Sequence, residues 1–125
     1  MSNLKSYIMN LRNQVTLIGH LGRDPEFTKF DSGKMKTQFS LATSENYRNQ
    51  NGDRVESTEW HRCVAWGKLA ETLNTHLKKG KEVALSGKLT HRSYTDKNGE
   101  KRYITEVVVS DFAFVGKKET SKVEG

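Results

Sequence analysis

Aromatic rings and positive charges alternate along residues 58–68 of the 125-residue sequence. In a β-strand, side chains two positions apart share a face, and one face here carries Trp60, Arg62, Val64 and Trp66. A dry core does not suit this face, because burying an unpaired arginine costs free energy. Flat rings beside fixed positive charges suit a ligand with flat rings and negative charges, and single-stranded nucleic acid is such a ligand.

A purely structural interpretation of this strand is also open. The two tryptophans could cover the edge of a core while the Arg62 side chain extends past them into solvent. The opposite face carries His61, Cys63 and Ala65, which suits packing against a core. His61 and Cys63 are also potential metal ligands, but two ligands in one strand without a second cluster are weak evidence for zinc. We therefore predict no metal site and no cofactor.

A second predicted strand, residues 83–94, presents the same chemistry. Lys88, Arg92 and Tyr94 share one of its faces, opposite a face of valine and leucine. Agreement between the two strands favours a single-stranded nucleic acid over the purely structural interpretation. Tyr47 and Arg48 lie at the mouth of a predicted hairpin, and Lys68 follows Trp66. The predicted nucleic-acid-binding residues are therefore Tyr47, Arg48, Trp60, Arg62, Trp66, Lys68, Lys88, Arg92 and Tyr94.

The charge balance favours a polyanionic partner. Lysine and arginine number 21 against 15 acidic residues, which gives a net charge of +6 and a sequence pI of about 9.5. The single cysteine cannot form an intrachain disulfide, and no stretch has the length and apolarity of a secretory signal or a membrane span. We expect a reducing, cytoplasmic setting without membrane contacts, and the predicted nucleic-acid ligand would make the protein nucleoid-associated.

The elements that must position these residues are strands separated by clear turn signals. The turn signals lie at residues 31–33, 49–52 and 96–99, where glycine follows aspartate, asparagine or serine. The predicted strands cover residues 14–21, 34–47, 53–66, 83–94 and 101–114, with a short extended segment at 26–30.

One helix is predicted over residues 69–79, where Leu69, Leu73 and Leu77 repeat every four residues. Two lysines are expected in its last turn, and Gly80 is expected at the C′ position. Five strands with a helix between strands 3 and 4 predict an all-β fold, a partly open five-stranded Greek-key barrel of the OB type.

Tyr47 conflicts with simple alternation along its strand. It has the same parity as Leu41, which is predicted to lie in the core. A bulge, or twist of the strand beyond the edge of the core, is needed to bring the tyrosine to the binding side.

The sequence predicts one folded domain with a polar extension at each end. We expect an N-terminal arm over residues 1–12, an OB-fold domain that binds a single-stranded nucleic acid over 13–115, and a polar tail over 116–125.

Several ordered motifs resemble the bacterial single-stranded DNA-binding protein family. The motifs are Gly19–Pro25, Leu41–Glu45, Thr58–Arg62, Trp66–Glu71 and Tyr94–Asp96. The resemblance implies an OB fold that assembles as a homotetramer. It also implies binding of single-stranded DNA with little sequence preference, which protects the DNA during replication, recombination and repair.

The resemblance also implies roles for individual residues. Stacking aromatics of the family fall on Tyr47, Trp60, Trp66 and Tyr94, and its phosphate contacts fall on Arg48, Arg62, Lys68 and Arg92. His61 matches a position at the subunit interface. Family members normally end in an acidic tip that recruits replication and repair enzymes, whereas this sequence ends in the mixed-charge segment 117–125. Recruitment of such enzymes is therefore in doubt.

Two other classes of function remain open. An OB-fold adaptor would bind proteins strongly and DNA weakly, but such an adaptor does not require interleaved rings and cations. A nuclease or hydrolase would need paired carboxylates or a nucleophile with a base, and Glu56, Glu59 and Glu106 form no recognisable cluster in the sequence. We expect a binding protein that is not an enzyme.

Overall fold

The structure, a computed structural model, describes residues 11–115. The predicted tail, and all of the predicted arm except Leu11 and Arg12, lie outside the described residues. The elements are β1 (Val15–Leu21), β2 (Glu26–Lys29), β3 (Met35–Arg48), β4 (Arg54–Trp66), α1 (Gly67–His76), β5 (Glu82–Thr95) and β6 (Lys101–Phe114).

Five of the six strands close into a small barrel. Antiparallel pairs join β1 to β5, β5 to β6, β3 to β4 and β1 to β3, and a parallel pair joins β4 to β6. The β1–β3 and β4–β6 contacts each contain only two residue pairs, so the barrel closes through short contacts. The short strand β2 pairs with β3 outside this ring. The predicted OB barrel, with its helix between the third and fourth barrel strands, is confirmed.

The helix is shorter than predicted. It ends at His76, and Leu77 already has an extended conformation with a ψ of 150°. The prediction that Lys78 and Lys79 lie in the last turn of the helix is therefore wrong. Gly80 lies in a separate turn and not at the C′ position.

Contacts with the end of β1 explain this early helix end. The Lys79 N–H donates to the Asp24 carboxylate at 2.8 Å, and the Gly80 N–H donates to the Leu21 carbonyl oxygen at 2.9 Å. These bonds hold residues 79 and 80 against the end of β1. The two residues could not make them if the helix continued for another turn.

The barrel interior and the inner side of α1 form one apolar core. Inward-pointing residues of the strands pack under Ala70 and Leu73 of the helix. Cys63 lies in this core, and burial raises the pKa of its thiol to about 12, so the thiol stays protonated at neutral pH. The predicted role of Cys63 as a small buried residue is confirmed.

Three hairpin turns share one construction, at residues 30–34, 49–53 and 96–100. In each turn the N–H of the first residue donates to the carbonyl of the fifth, and the N–H of the fourth donates to the carbonyl of the first, at 2.8–3.0 Å. The fourth residue is a glycine with a φ of 83–97°, as three-residue hairpin loops require. In two turns the first residue, Asn49 or Asp96, also accepts two backbone N–H bonds at its Oδ1 atom.

A bulge in β6 changes which of its residues face the core. Ser86 of β5 lies opposite Asp111, but Gly87 lies opposite Val109, so Ser110 is an extra residue in β6. Beyond Ser110 the inward and outward positions of β6 are exchanged, so Phe112 packs against the core.

Candidate functional site

The two tryptophans lie on the outer surface of the β3–β4 pair. Because Cys63 and Ala65 belong to the core, the alternate residues of β4 point outward. Trp60 is 60% exposed and Trp66 is 45% exposed, so both rings are accessible to a ligand. We call the sheet surface that carries Trp60, Arg62 and Trp66 the outer face.

Strand register extends the outer face across β6 to β5. Arg62 of β4 contacts Glu106 of β6, and Thr90 of β5 lies opposite Glu106. In steps of two from Thr90, the outer-face residues of β5 are Lys88, Thr90, Arg92 and Tyr94. The structure thus brings the predicted rings and cations of two strands onto one face, and their binding roles stay predictions.

The ring of Trp60 lies against the backbone just after β1. A Cβ atom built on Gly22 would be 2.5 Å from the Cζ3 atom of Trp60, so the ring occupies the space that any other residue would fill. The Gly22 N–H donates to the Ser40 carbonyl oxygen at 3.2 Å, which holds this backbone in place. The backbone at Gly22 therefore packs against the Trp60 ring, while most of the Trp60 surface remains exposed.

The ring of Trp66 has an aromatic and a cationic neighbour. The ring centroid of Phe30 lies 6.4 Å from that of Trp66, and the two planes differ by 21°. The Nζ atom of Lys36 lies 5.5 Å from the Trp66 centroid. Neither Phe30 nor Lys36 was predicted as a site residue. Phe30 ends a short segment without strong alternation, and the contact of Lys36 with Trp66 depends on the pairing of β3 with β4.

A buried carboxylate joins the two arginines of the outer face. Glu106 Oε2 accepts hydrogen bonds from Arg62 Nε and Arg92 Nη2, and Glu106 Oε1 accepts one from Arg92 Nε, each at 3.2 Å. The Glu106 side chain is 6% exposed, whereas both arginine side chains are about 45% exposed. The carboxylate therefore holds the two guanidinium groups side by side while they remain open to solvent.

The group of Arg62, Glu106 and Arg92 carries a net positive charge. Burial acts to raise the pKa of Glu106, but hydrogen bonds and charges from Arg92 and Arg62 outweigh burial and lower the pKa below its ordinary value. The hydrogen bond to Glu106 also raises the pKa of Arg92. At neutral pH two positive charges therefore face one negative charge. The sequence did not connect Glu106 with the arginines, although its parity with Ile104 and Val108 places it on the outer face.

Tyr47 is placed differently from the other predicted aromatics. The register between β3 and β4 is continuous along both strands, so the bulge considered for Tyr47 is absent from this pair. Tyr47 is exposed on the face opposite Trp60. Its neighbour Arg48 has outer-face parity, and its Nη1 atom donates to the Gly52 carbonyl oxygen at 2.8 Å. Without a bulge, a ligand that contacts both Trp60 and Tyr47 would follow the twist of the β3–β4 ribbon beyond the core or pass around it.

The remaining predicted cations lie at the borders of the outer face. Lys68 is the second residue of α1, and its Nζ atom is 3.4 Å from the Glu71 carboxylate. This pair is highly exposed, so it leaves the lysine available for other partners. Lys88 is exposed on β5, one residue after the position where β6 contains its bulge.

His61 lies on the face opposite Trp60 and is half-buried. Its Nε2 atom is 2.9 Å from the Thr43 hydroxyl oxygen. The predicted role of His61 at a subunit interface stays a prediction.

Potential metal ligands are scattered in the part of the chain that the structure describes. Within residues 11–115, no three His, Cys, Asp or Glu side chains are grouped so that they could hold a metal ion. The helix in this range is too short and too polar to cross a membrane.

A protein-family model matches residues 12–115, and its description is the single-strand binding protein family. The chain belongs to this family. The resemblance that the sequence motifs indicated is thereby confirmed.

Known relatives agree with this assignment. A protein of Chlorobaculum tepidum described as single-stranded DNA-binding protein 1 is 49% identical over 109 residues, which cover 86% of this chain and 67% of the relative. A solved structure described as the Plasmodium falciparum SSB complex with ssDNA is similar with a TM-score of 0.76 and 32% identity. That similarity covers 83% of this chain and 95% of the other.

Proposed function

We propose that this chain binds single-stranded DNA on its outer face with little sequence preference. The observation that best supports the proposal is the arrangement of exposed Trp60 and Trp66 rings beside the paired guanidinium groups of Arg62 and Arg92. Membership of the single-strand binding protein family, and the single-stranded DNA named in the Plasmodium falciparum complex, favour DNA over other polyanions.

Base stacking on the exposed rings supplies the first part of the mechanism. Every base has a flat face, so stacking on Trp60, Trp66 and Tyr94 accepts any sequence. Trp60 is suited to this role because the backbone at Gly22 supports its ring.

Phosphate neutralisation supplies the second part. Arg62 and Arg92 present N–H groups that Glu106 does not use, and Lys88 and Lys68 add charge at the borders of the face. By orienting the two guanidinium groups together, Glu106 lowers the entropy that they lose when a phosphate binds between or beside them. Arg48 has outer-face parity at the far end of β3, whereas Tyr47 lies on the opposite side by parity. DNA that follows or passes around the β3–β4 ribbon would reach Tyr47.

The biological role proposed for this binding is protection of exposed single strands during replication, recombination and repair. The protein would act by binding alone and would not be an enzyme, and its ligand would place it in the nucleoid. Four copies would assemble as a homotetramer, with His61 at an interface between subunits.

Intrinsic fluorescence offers a direct test. The chain contains two tryptophans, and both lie on the outer face, so stacking of an oligothymidylate should quench its fluorescence. Replacing Trp60 by alanine is expected to weaken binding by roughly 5- to 150-fold, which corresponds to about 1–3 kcal/mol for one stacked base. Affinity should fall as salt rises, with a logarithmic slope of about −0.7 for each phosphate contacted.

A matched control is available on β6. Tyr103 is a highly exposed aromatic residue opposite Ser93, on the other face of the β5–β6 pair from Arg92. Tyr103→Ala should leave the affinity unchanged. Unchanged affinity in folded Trp60→Ala and Trp66→Ala variants would contradict the stacking mechanism. Micromolar or weaker binding by the wild-type chain at moderate salt would instead favour an adaptor, and degradation of labelled DNA in Mg²⁺ by the purified chain would reveal catalysis.

A further inference from the structure

The turn between β2 and β3 carries a phenylalanine where the two other turns of the same construction carry a capping residue. Asn49 and Asp96 each use Oδ1 to accept two backbone N–H bonds of their own turn. Phe30 has the same position in its turn but has no polar group to do this. The two backbone bonds of the turn, both 2.8 Å, form without its ring. The ring is therefore free for another role.

Strand register places Phe30 on the outer face. Thr28 of β2 pairs with Lys36 of β3, and Lys36 lies opposite Trp66 of β4. Phe30 follows Thr28 by two residues, so its side chain is on the same side of the sheet as Trp66. Phe30 is 42% exposed, which is close to the 45% exposure of Trp66.

The distance between these two rings fits a shared ligand. Their 6.4 Å centroid separation lies near the upper end of the range of roughly 4.5–7 Å for rings that contact each other directly. It is close to twice the spacing of about 3.4 Å between successive bases in a strand. The planes are within 21° of parallel, as two walls around one flat base would be.

Positive charge lies close to the ring pair, and open space lies beside its Trp66 member. Lys36 Nζ lies 5.5 Å from the Trp66 centroid, and Lys34 shares the outer-face parity of Lys36. A recess of about 340 Å³ beside Trp66 is lined by Gly33, Lys34, Met35 and Gly67. A nucleotide at this position would find stacking surfaces for its base and ammonium groups for its phosphates.

We propose that Phe30 is a base-stacking residue that forms, together with Trp66, a two-ring site for one nucleobase of single-stranded DNA. The proposal rests on the function proposed above and extends the DNA path from β4 to the β2–β3 turn. Lys34 and Lys36 contact the phosphates of the nucleotide held there.

The turn comparison supplies a variant that removes the ring without harming the turn. Phe30→Asn introduces the residue that caps the turn at 49–53, so the thermal unfolding temperature should stay the same or rise. Affinity for oligothymidylate should fall by about fivefold or more, the lower end of the effect expected for one stacked base. Phe30→Tyr keeps a ring and should retain the wild-type affinity.

Phe27 provides the matched control. It is the other phenylalanine of this segment and is 37% exposed, but it pairs with Thr37, which faces the core side of β3. Phe27→Ala should therefore leave DNA affinity unchanged. If Phe30→Asn binds as tightly as the wild-type chain, or if Phe27→Ala weakens binding as much as Phe30→Asn, the proposal is wrong.

A second readout uses the chain with its native Phe30. Oligothymidylate containing 5-iododeoxyuridine should form photo-crosslinks to both Phe30 and Trp66, which mass spectrometry can locate. Crosslinks to Trp66 or elsewhere on the outer face, with none at Phe30, would overturn the two-ring site while leaving the proposed function standing. A wild-type chain that does not bind the oligomer would refute both.

Discussion

The group of Arg62, Glu106 and Arg92 shows how a basic binding face can be built around a buried acid. A carboxylate that is 6% exposed needs charged partners, and the two arginines provide three hydrogen bonds of 3.2 Å. In return, the carboxylate restricts two long side chains that would otherwise sample many rotamers. Glu106 is thus expected to matter for stability and for the arrangement of phosphate contacts.

Replacing Glu106 by glutamine should reveal this role through pH. The folded-state pKa of Glu106 lies below its value in the unfolded chain, which is ordinarily about 4.3. Its charge therefore stabilises the fold above that pH, and the stabilisation is lost as the pH falls through the folded-state pKa. Glu106→Gln should lower the free energy of unfolding by roughly 1–3 kcal/mol at pH 7, and the difference from wild type should shrink near pH 3.

Urea denaturation at the two pH values measures this difference. Glu59→Gln, at an exposed position of β4, is the control and should change stability little at either pH. An equal loss of stability at pH 7 and near pH 3 would show that the effect of Glu106→Gln does not depend on the carboxylate charge.

At the scale of single residues, alternation along each strand predicted the outer-face residues but not the residues that they contact. Trp60, Arg62 and Arg92 could be placed on one side because alternation in a strand is local. Glu106 and Phe30 could not be connected with them, because those contacts depend on which strands become neighbours.

At the scale of elements, the turns were predictable and the closing contacts were not. Each of the three turns is specified by a few adjacent residues that end in glycine, so a short stretch of sequence carries the whole signal. The parallel β4–β6 pair joins residues 44 apart, as the Arg62–Glu106 contact shows, and no local pattern marks it. The helix end was wrong for the same reason, because bonds to Asp24 and Leu21 decide it.

The bulge in β6 offers a test of element packing. A Cβ atom added to Gly87 would lie 2.1 Å from the Val108 carbonyl oxygen, which is backbone and cannot easily move. Gly87→Ala should therefore destabilise the fold by about 1–3 kcal/mol or more, because the strands must separate to accept the methyl group. The midpoint of urea unfolding measures the effect. Ser93→Ala, at an exposed position of the same strand, should move the midpoint only slightly, and a similar small shift for Gly87→Ala would contradict close strand contact.

At the scale of the whole molecule, both faces of the β3–β4 ribbon carry predicted functional residues. Trp60 and Trp66 occupy the outer face, whereas Tyr47 and His61 occupy the opposite one. DNA that passes around the ribbon and a subunit that packs beneath it would use these two faces together. The proposed homotetramer accounts for this division.

Sedimentation equilibrium tests the assembly. We expect a wild-type mass close to four times the 14.2 kDa of one chain. His61→Lys, which places a charge at the proposed interface, should shift the population toward smaller species. His91→Lys is the matched control, because His91 also contacts a threonine hydroxyl at 2.9 Å but lies exposed on β5. A monomeric wild-type chain would refute the tetramer and leave the outer face unaffected.

The short contacts that close the barrel have a consequence for the order of folding. The three hairpin turns join neighbouring stretches of chain and can form early, whereas the two residue pairs of β4–β6 must wait until a long loop has closed. Weakening the β4–β6 contact should therefore leave the refolding rate nearly unchanged and accelerate unfolding. The kinetic lifetime of the native barrel would then depend largely on the salt bridge between Glu106 of β6 and Arg62 of β4, which spans the contact that forms last.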